Sequence, residues 1–227
     1  MTTLDVRRFD SRAALDAALE ERLRAAIAVS GPSAIMLSGG RTPLPAYRGL
    51  AARALPHDER LCVLFSDDRY VPADSEASNY HQSRPLLDAL ALAPARLLRV
   101  RTELPLERAA EEYQRTLGAL LDSDVRIGLG LLGLGADGHT ASLFSGADIA
   151  RASGHLAIAV SRPDGMSAVS VTPAVIARVE EPLFVVTGPG KRAAIESFMA
   201  GDLTLTAWRA VQGCARVELW VHEGGQG

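Results

Sequence analysis

The chain has 227 residues and a formal net charge of −3, with 48% hydrophobic and 22% charged residues. These values are typical of a globular protein with a large core, and the scattered basic residues give no electrostatic basis for binding nucleic acid or an anionic membrane. The two cysteines, Cys62 and Cys214, are too few for a disulfide framework and lack the spacing of metal ligands.

Helical hydrophobic periods recur along the whole chain. Residues 11–29 place five apolar side chains on one face, and Asp10 or Ser11 is the expected N-cap. Further helices are predicted over residues 42–55, 78–90 (at least after Pro85), 104–121 and 191–201.

Short apolar runs alternate with these helices. The predicted strands cover residues 33–40, 60–69, 125–135, 155–161, 182–188 and 216–222, the second of them running into a polar loop at its end. Strands that are apolar on both faces and separated by helices indicate an α/β fold, with a doubly wound, mostly parallel sheet covered by helices on both faces. With no repeat and no Pro/Gly-rich linker, residues 1–227 are predicted to form a single domain.

No amino-terminal stretch resembles a secretory signal, and no apolar run approaches the roughly 20 residues that span a bilayer. We therefore expect a cytoplasmic protein that binds neither membrane nor nucleic acid. The sequence leaves the oligomeric state open between a monomer and a weak dimer.

Four polar or glycine-bearing loops follow predicted strands. Ligands of parallel sheets bind beyond the carboxyl ends of the strands, so these loops are expected to meet at one edge and form the functional site. They are residues 38–43, 66–70, 133–139 and 187–191.

Two of these loops have the composition of anion sites. Ser38, Gly39, Gly40 and Thr42 precede a predicted helix, whose N-terminal amides favour a phosphate, although the same residues suit a plain strand-to-helix turn. Lys191 begins another predicted helix, where a cation opposes the helix dipole unless an anion binds; a solvated lysine is the alternative.

The other two loops carry groups suited to catalysis. In an extended "SDDRY" segment, Asp67 and Arg69 would face the same side, unless they form only a surface ion pair. "GLGADGH" has the glycine spacing of a dinucleotide-binding loop, but no acidic residue closes the next strand. His139 follows the last glycine, and Asp137 could fix its tautomer, so the acid–base interpretation is favoured over the cofactor one.

The chain shows no nucleophile elbow and no set of histidines at metal-ligand spacing. A histidine base without a nucleophile or a metal indicates direct activation of water, or proton shuttling in a small phosphorylated substrate.

Three motifs resemble those of the 6-phosphogluconolactonases, relatives of the glucosamine-6-phosphate deaminases in a larger sugar-phosphate isomerase-like family. They are "LSGGRTP" (37–43), "FSDDRYVPADSEASNY" (65–80) and "LGLGADGHTASLF" (132–144), and the resemblance extends through nearly the whole chain. It implies a Rossmann-like fold of the sugar-phosphate isomerase type. It also implies hydrolysis of a small phosphorylated sugar lactone without cofactor or metal.

The resemblance also implies roles for individual residues. His139 would be the general base and Asp137 would orient it, while Asp67 and Arg69 would line the sugar and carbonyl end. The 6-phosphate would contact Ser38, Gly39, Gly40, Thr42 and Lys191.

Three positions depart from the family pattern. Asp68 stands where a glutamate is usual, Arg41 replaces a serine, and Ala168 replaces a common basic residue. We expect Arg41 to supply the anion contact missing at position 168.

Three other functions stay open. A deaminase of glucosamine 6-phosphate would carry Phe-Asn-Glu-Pro after its Asp-Gly-His motif, where residues 142–145 are Ser-Leu-Phe-Ser. A non-enzymatic sugar-phosphate-binding protein is the second alternative. As the effector domain of a transcription regulator it would need a helix-turn-helix, for which the first 35 residues or so leave no room, whereas a free-standing binding protein stays open. A nicotinamide-binding enzyme is the third alternative.

Overall fold

The computed structural model describes residues 2–224, which contain ten strands, nine α-helices and two short 3-10 helices, Pro94–Arg96 and Pro189–Lys191. The strands are β1 Thr3–Arg8, β2 Ser33–Leu37, β3 Cys62–Phe65, β4 Asp67–Arg69, β5 Leu97–Leu98, β6 Arg126–Leu132, β7 Ala157–Ser161, β8 Ser167–Val171, β9 Val179–Thr187 and β10 Arg216–His222. The helices are α1 Arg12–Ile27, α2 Leu44–Ala51, α3 Asn79–Gln82, α4 Arg84–Leu90, α5 Leu106–Leu121, α6 Gly146–Arg151, α7 Pro173–Ile176, α8 Arg192–Met199 and α9 Thr206–Ala210.

Seven strands form a central sheet in the order β1-β10-β9-β6-β2-β3-β5, and every pairing described between them is parallel. Both faces of this sheet are buried. On β2, for example, Ile35 and Leu37 pack in one hydrophobic core cluster, and Ala34 and Met36 pack in the other. Helices α1, α2 and α4 pack on the first face, and α5, α8 and α9 on the second. The predicted α/β fold is confirmed.

A second, antiparallel sheet has the order β4-β8-β7. It corrects two predictions. Residues 67–69 are a strand rather than a polar loop, and the predicted strand at residues 155–161 belongs to this small sheet rather than to the parallel one. The reason is the short turn after β7, in which Gly165 adopts a φ of +82°. A turn this short can join only antiparallel strands.

Several predicted helices are confirmed with shifted ends. Helix α1 begins after Ser11, whose side chain accepts a hydrogen bond from the Ala14 amide. The segment predicted as one helix over residues 78–90 contains two, α3 and α4, which meet at Ser83. Strand β1 was not predicted, because five of its six residues are exposed and show no apolar pattern.

None of the helices in residues 2–224 is long and apolar enough to cross a bilayer.

Candidate active site

A cleft of about 600 Å³ lies at the carboxyl edge of the parallel sheet. All four loops singled out in the sequence contribute to it. Its lining includes Ser38, Gly39, Gly40, Arg41, Thr42, Asp67, Arg69, His139 and Lys191. Asp137 is hydrogen-bonded to the side chain of His139 and so belongs to the site, although it does not itself line the cleft. The structure therefore brings together every residue that the sequence selected for the site.

The centre of the cleft is the His139–Asp137 pair. Nδ1 of His139 lies 2.5 Å from Oδ1 of Asp137. A neutral imidazole that donates from Nδ1 keeps its lone pair on Nε2, and Nε2 has no protein partner within residues 2–224. Two backbone hydrogen bonds close the loop, from the Gly135 amide to the His139 carbonyl and from the Gly138 amide to the Gly135 carbonyl.

The glycines of this loop make room for the pair. A Cβ at Gly135 would lie 2.1 Å from Nδ1 of His139 and 2.2 Å from Oδ1 of Asp137. Gly138 has a φ of +80°, and a Cβ there would meet the Leu205 side chain at 2.3 Å. The glycine pattern that resembles a pyrophosphate loop thus has a local steric reason, which is the placement of an imidazole and a carboxylate.

Charge on one side of the cleft comes from Asp137 and Lys191. Burial raises the pKa of Asp137, but the hydrogen bond and the charge of His139 outweigh it, so that the pKa lies below its usual value. Burial lowers the pKa of the Lys191 ammonium, and the charge of Asp137 partly opposes that effect. A cation that is partly desolvated and faces a cleft is well suited to bind an anion.

Asp67 and Arg69 face the cleft from β4, on the opposite side of the strand from Asp68. The Asp67 carboxylate accepts hydrogen bonds from Ser66 Oγ (2.9 Å) and from Ser142 Oγ (2.7 Å). Nη1 of Arg69 donates to the Ala77 carbonyl at 2.8 Å, which leaves the rest of its guanidinium for a ligand.

Asp68 points away from the cleft and caps helix α3. Its carboxylate accepts from the amides of Asn79 (2.6 Å) and Tyr80 (3.1 Å) and from Ser78 Oγ (3.1 Å). Burial, helped by the charge of Asp67, outweighs these hydrogen bonds and raises the pKa of Asp68 to about 6.

Asn79 links strand β4 to the glycine loop, and the sequence analysis did not identify it. Its Nδ2 donates to the Asp67 carbonyl at 2.9 Å, and its Oδ1 accepts from Arg69 Nη1 at 2.9 Å. Gly39 packs against it so closely that a Cβ at Gly39 would lie 1.9 Å from Oδ1. In the sequence, Asn79 is indistinguishable from an ordinary residue at the start of a helix.

The glycine loop turns into α2 with Gly40 at a φ of +90°. Gln82 Oε1 accepts from the Gly40 amide at 3.0 Å, so this amide is already engaged. Thr42 Oγ1 lies 3.0 Å from Thr187 Oγ1, which ties the loop to the end of β9. Arg41 is exposed at the rim. Helix α2 has no side-chain cap. Pro45 has no N–H, so the amides of Leu44 and Ala46 are the donors that the first three residues of α2 offer to an anion.

Comparison with known proteins places the chain in a family. Residues 9–217 match the model of "Glucosamine-6-phosphate isomerases/6-phosphogluconolactonase". This chain belongs to that family. A 6-phosphogluconolactonase of Synechocystis is 36% identical over 187 residues, covering 80% of this chain and 77% of the relative. One of Thermotoga maritima is 41% identical over 111 residues, which is about half of either protein (48% and 49%).

Solved structures agree with this membership. A crystal structure of a 6-phosphogluconolactonase from Thermotoga maritima superposes with a TM-score of 0.78 and 26% identity, covering 97% of this chain and 99% of the other. The superposition extends over nearly the whole chain, so the two proteins share this fold.

One departure from the family pattern can now be located. Ala168 is buried on β8 and pairs with Arg69 across the small sheet, so no cation extends from that position. Arg162, in the turn between β7 and β8, lines the cleft instead. Sequence analysis missed Arg162, because nothing in "SRPDG" distinguishes a turn arginine that faces inward from one that faces solvent.

The described part of the chain contains no group of three or more His, Cys, Asp or Glu side chains arranged to hold a metal ion.

Proposed function

We propose that this protein hydrolyses 6-phospho-D-glucono-1,5-lactone to 6-phospho-D-gluconate, the lactone-opening step of the oxidative pentose phosphate pathway. The observation that carries the proposal is the 2.5 Å His139–Asp137 contact in a cleft that also contains a glycine loop and Lys191. Relatives named 6-phosphogluconolactonase, at 34% to 41% identity, support the choice of substrate.

His139 acts as the general base. Because Asp137 holds the Nδ1 proton, Nε2 accepts a proton from water while the water oxygen attacks C1 of the lactone. The carboxylate also stabilises the imidazolium that forms in this step. A lactone is an activated ester, so attack by water needs no covalent enzyme intermediate.

The attack moves negative charge onto the carbonyl oxygen of C1. Arg69 stabilises this charge, since its guanidinium faces the cleft and is fixed at Nη1 by Ala77 and Asn79. The bond between C1 and the ring oxygen then breaks, and the proton on Nε2 of His139 passes to that oxygen. The products are a carboxylic acid at C1, which releases its proton to solvent and becomes a carboxylate, and a hydroxyl at C5, so the reaction consumes only water and the lactone.

The 6-phosphate binds between the glycine loop and Lys191. Ser38 and Thr42 of the glycine loop supply hydroxyls, the N–H groups of Leu44 and Ala46 at the start of α2 supply further donors, and Lys191 supplies positive charge. Because the Gly40 amide is engaged by Gln82, its contribution is the turn itself rather than a hydrogen bond to phosphate.

Deamination of glucosamine 6-phosphate fits this site poorly. That reaction needs a second carboxylate to open the sugar ring, at a place where residues 142–145 offer none. Ser142 is buried and donates a hydrogen bond to Asp67, and the two carboxylates placed at the cleft, Asp67 and Asp137, both lie outside residues 142–145.

The test is turnover of freshly prepared lactone, followed by coupling the product to 6-phosphogluconate dehydrogenase, with spontaneous hydrolysis subtracted. Glucosamine 6-phosphate, assayed by release of ammonia, is the matched alternative substrate. We expect rapid turnover of the lactone and none of the amino sugar. Turnover of the amino sugar, or tight binding of 6-phosphogluconate without any hydrolysis, would contradict the proposal. Cytoplasmic location is a further prediction, testable by cell fractionation.

A further inference from the structure

Arg162 is a second guanidinium held rigidly inside the cleft. Its Nε and Nη2 donate to the Asp164 carboxylate at 2.9 to 3.2 Å, and its Nη1 donates to Ser142 Oγ at 3.2 Å. The guanidinium carbon lies 5.1 Å from the centre of the Phe144 ring. A long side chain fixed at three points has already lost most of its conformational freedom before any ligand binds.

The Arg162–Asp164 contact could be nothing more than an ion pair that closes a turn. The exposure of the two side chains argues against that interpretation. Asp164 is 42% exposed, whereas Arg162 is only 12% exposed and turns into the cleft. A guanidinium carries five N–H donors, and the contacts with Asp164 and Ser142 engage three of them. Among residues 2–224, two of its donors therefore have no protein partner, on a side chain that is largely desolvated.

The neighbours of Arg162 place it near the reacting groups. Ser142 Oγ accepts a hydrogen bond from Arg162 and donates one to Asp67 Oδ2 at 2.7 Å. Phe144, which packs under the guanidinium, also contacts the imidazole of His139, with ring centres 4.4 Å apart. Arg162 thus shares one neighbour with Asp67 and another with His139.

We propose that Arg162 binds the oxygens on C1 of the substrate and so determines specificity for sugar phosphates oxidised at that carbon. This assignment rests on the proposed function. The two available donors of Arg162 match the carboxylate of the product in fork geometry, and they match the carbonyl oxygen of the lactone as it gains charge. Arg69 also lines the cleft, from β4, and its charge acts on Asp164, the ion-pair partner of Arg162. In this assignment two guanidiniums bind the C1 oxygens and Lys191 binds the phosphate.

The test compares two ligands that differ only at C1. These are 6-phosphogluconate, which ends in a carboxylate, and sorbitol 6-phosphate, which ends in an alcohol. Binding of each is measured by calorimetry and by inhibition of lactone hydrolysis, for the unchanged protein, Arg162→Met and Arg162→Lys. Arg178→Met is the matched control, because Arg178 is exposed and outside the cleft. Thermal unfolding of each variant reports whether the fold is intact.

In Arg162→Met we expect 6-phosphogluconate to bind about 10- to 100-fold more weakly, as for loss of a charged hydrogen bond, with sorbitol 6-phosphate unchanged. The affinity of Arg162→Lys for 6-phosphogluconate should lie between those of Arg162→Met and the unchanged protein, since lysine keeps the positive charge but cannot donate two parallel hydrogen bonds to a carboxylate. The kcat for the lactone should also fall in Arg162→Met, with Arg178→Met as the reference.

An equal loss of affinity for 6-phosphogluconate and sorbitol 6-phosphate in Arg162→Met would overturn the assignment, because it would mean that Arg162 contacts the phosphate or only supports the fold. Unchanged affinity of Arg162→Met for both ligands would also overturn the assignment. If the unchanged protein neither hydrolyses the lactone nor binds 6-phosphogluconate, the proposed function itself fails, and that result is distinct from both of these.

Discussion

Replacing Gly135 by alanine tests whether the loop exists to position the catalytic pair. The new Cβ would lie 2.1 Å from Nδ1 of His139, whereas ordinary contacts begin at 3.4 Å, so the imidazole must retreat by about 1.3 Å. Oδ1 of Asp137, at 2.2 Å, must move by a similar distance. Gly135 does not have a positive φ, so the change acts through space rather than through backbone strain.

A misplacement of about 1 Å at a reacting group costs roughly 100-fold in rate, and a general base contributes about 10²- to 10⁴-fold. We therefore expect kcat of Gly135→Ala to fall by about 100-fold or more, equivalent to about 3 kcal/mol of transition-state stabilisation. Binding of 6-phosphogluconate through its phosphate should persist, because the glycine loop before α2 and Lys191 are untouched.

Steady-state hydrolysis of the lactone, combined with calorimetric binding of the product, measures both effects. Gly128→Ala is the matched control, since Gly128 lies on β6, the strand that leads into the loop, and a Cβ there meets nothing within 4 Å. A folded Gly135→Ala protein with the kcat of Gly128→Ala would refute the steric account of this loop.

Three further predictions concern the surroundings of the site. Arg41→Ser should raise KM for the lactone much more than it lowers kcat, and an unchanged KM would exclude Arg41 from phosphate binding. Asn79→Ala should lower kcat/KM by about 10-fold or more with a native circular dichroism spectrum, because it frees Arg69 and removes the support under Gly39; full activity would contradict this. The folded protein binds a proton at Asp68 more tightly than the unfolded chain does, since burial raises this pKa from 3.8 to about 6. The free energy of unfolding should therefore fall by up to about 3 kcal/mol as pH rises from 4 to above 6. In Asp68→Asn, thermal unfolding measured across this pH range should show no such fall in stability. Identical dependence of stability on pH in Asp68→Asn and the unchanged protein would contradict the assignment of the effect to Asp68.

The residues of the cleft could be predicted because their placement follows from local rules. Parallel strands bring their carboxyl ends to one edge, which locates the loops of Ser38 and Lys191 without knowledge of the strand order. Alternation in an extended segment places Asp67 and Arg69 on one side. Asp67 and Arg69 do lie on one side, although residues 67–69 form a strand rather than the expected loop, because the prediction required only an extended backbone.

The contributions of Arg162 and Asn79 depend on contacts between distant parts of the chain. Arg162 meets Ser142 only because β7 and β8 form a hairpin that pairs with β4, and "SAVSV" has too little apolar pattern to predict β8. Asn79 meets Gly39 across 40 residues of sequence. No local periodicity encodes either contact, so the sequence could not supply them.

The central claim is that His139 activates the attacking water. The most direct measurement is kcat for lactone hydrolysis by His139→Ala, with and without added imidazole, on protein whose thermal unfolding matches that of the unchanged chain. Our account predicts a loss of about 10²- to 10⁴-fold and partial recovery with imidazole, because the base can then be supplied from solution. Hydrolysis that survives the substitution at its full rate would contradict the claim and assign the base to another residue.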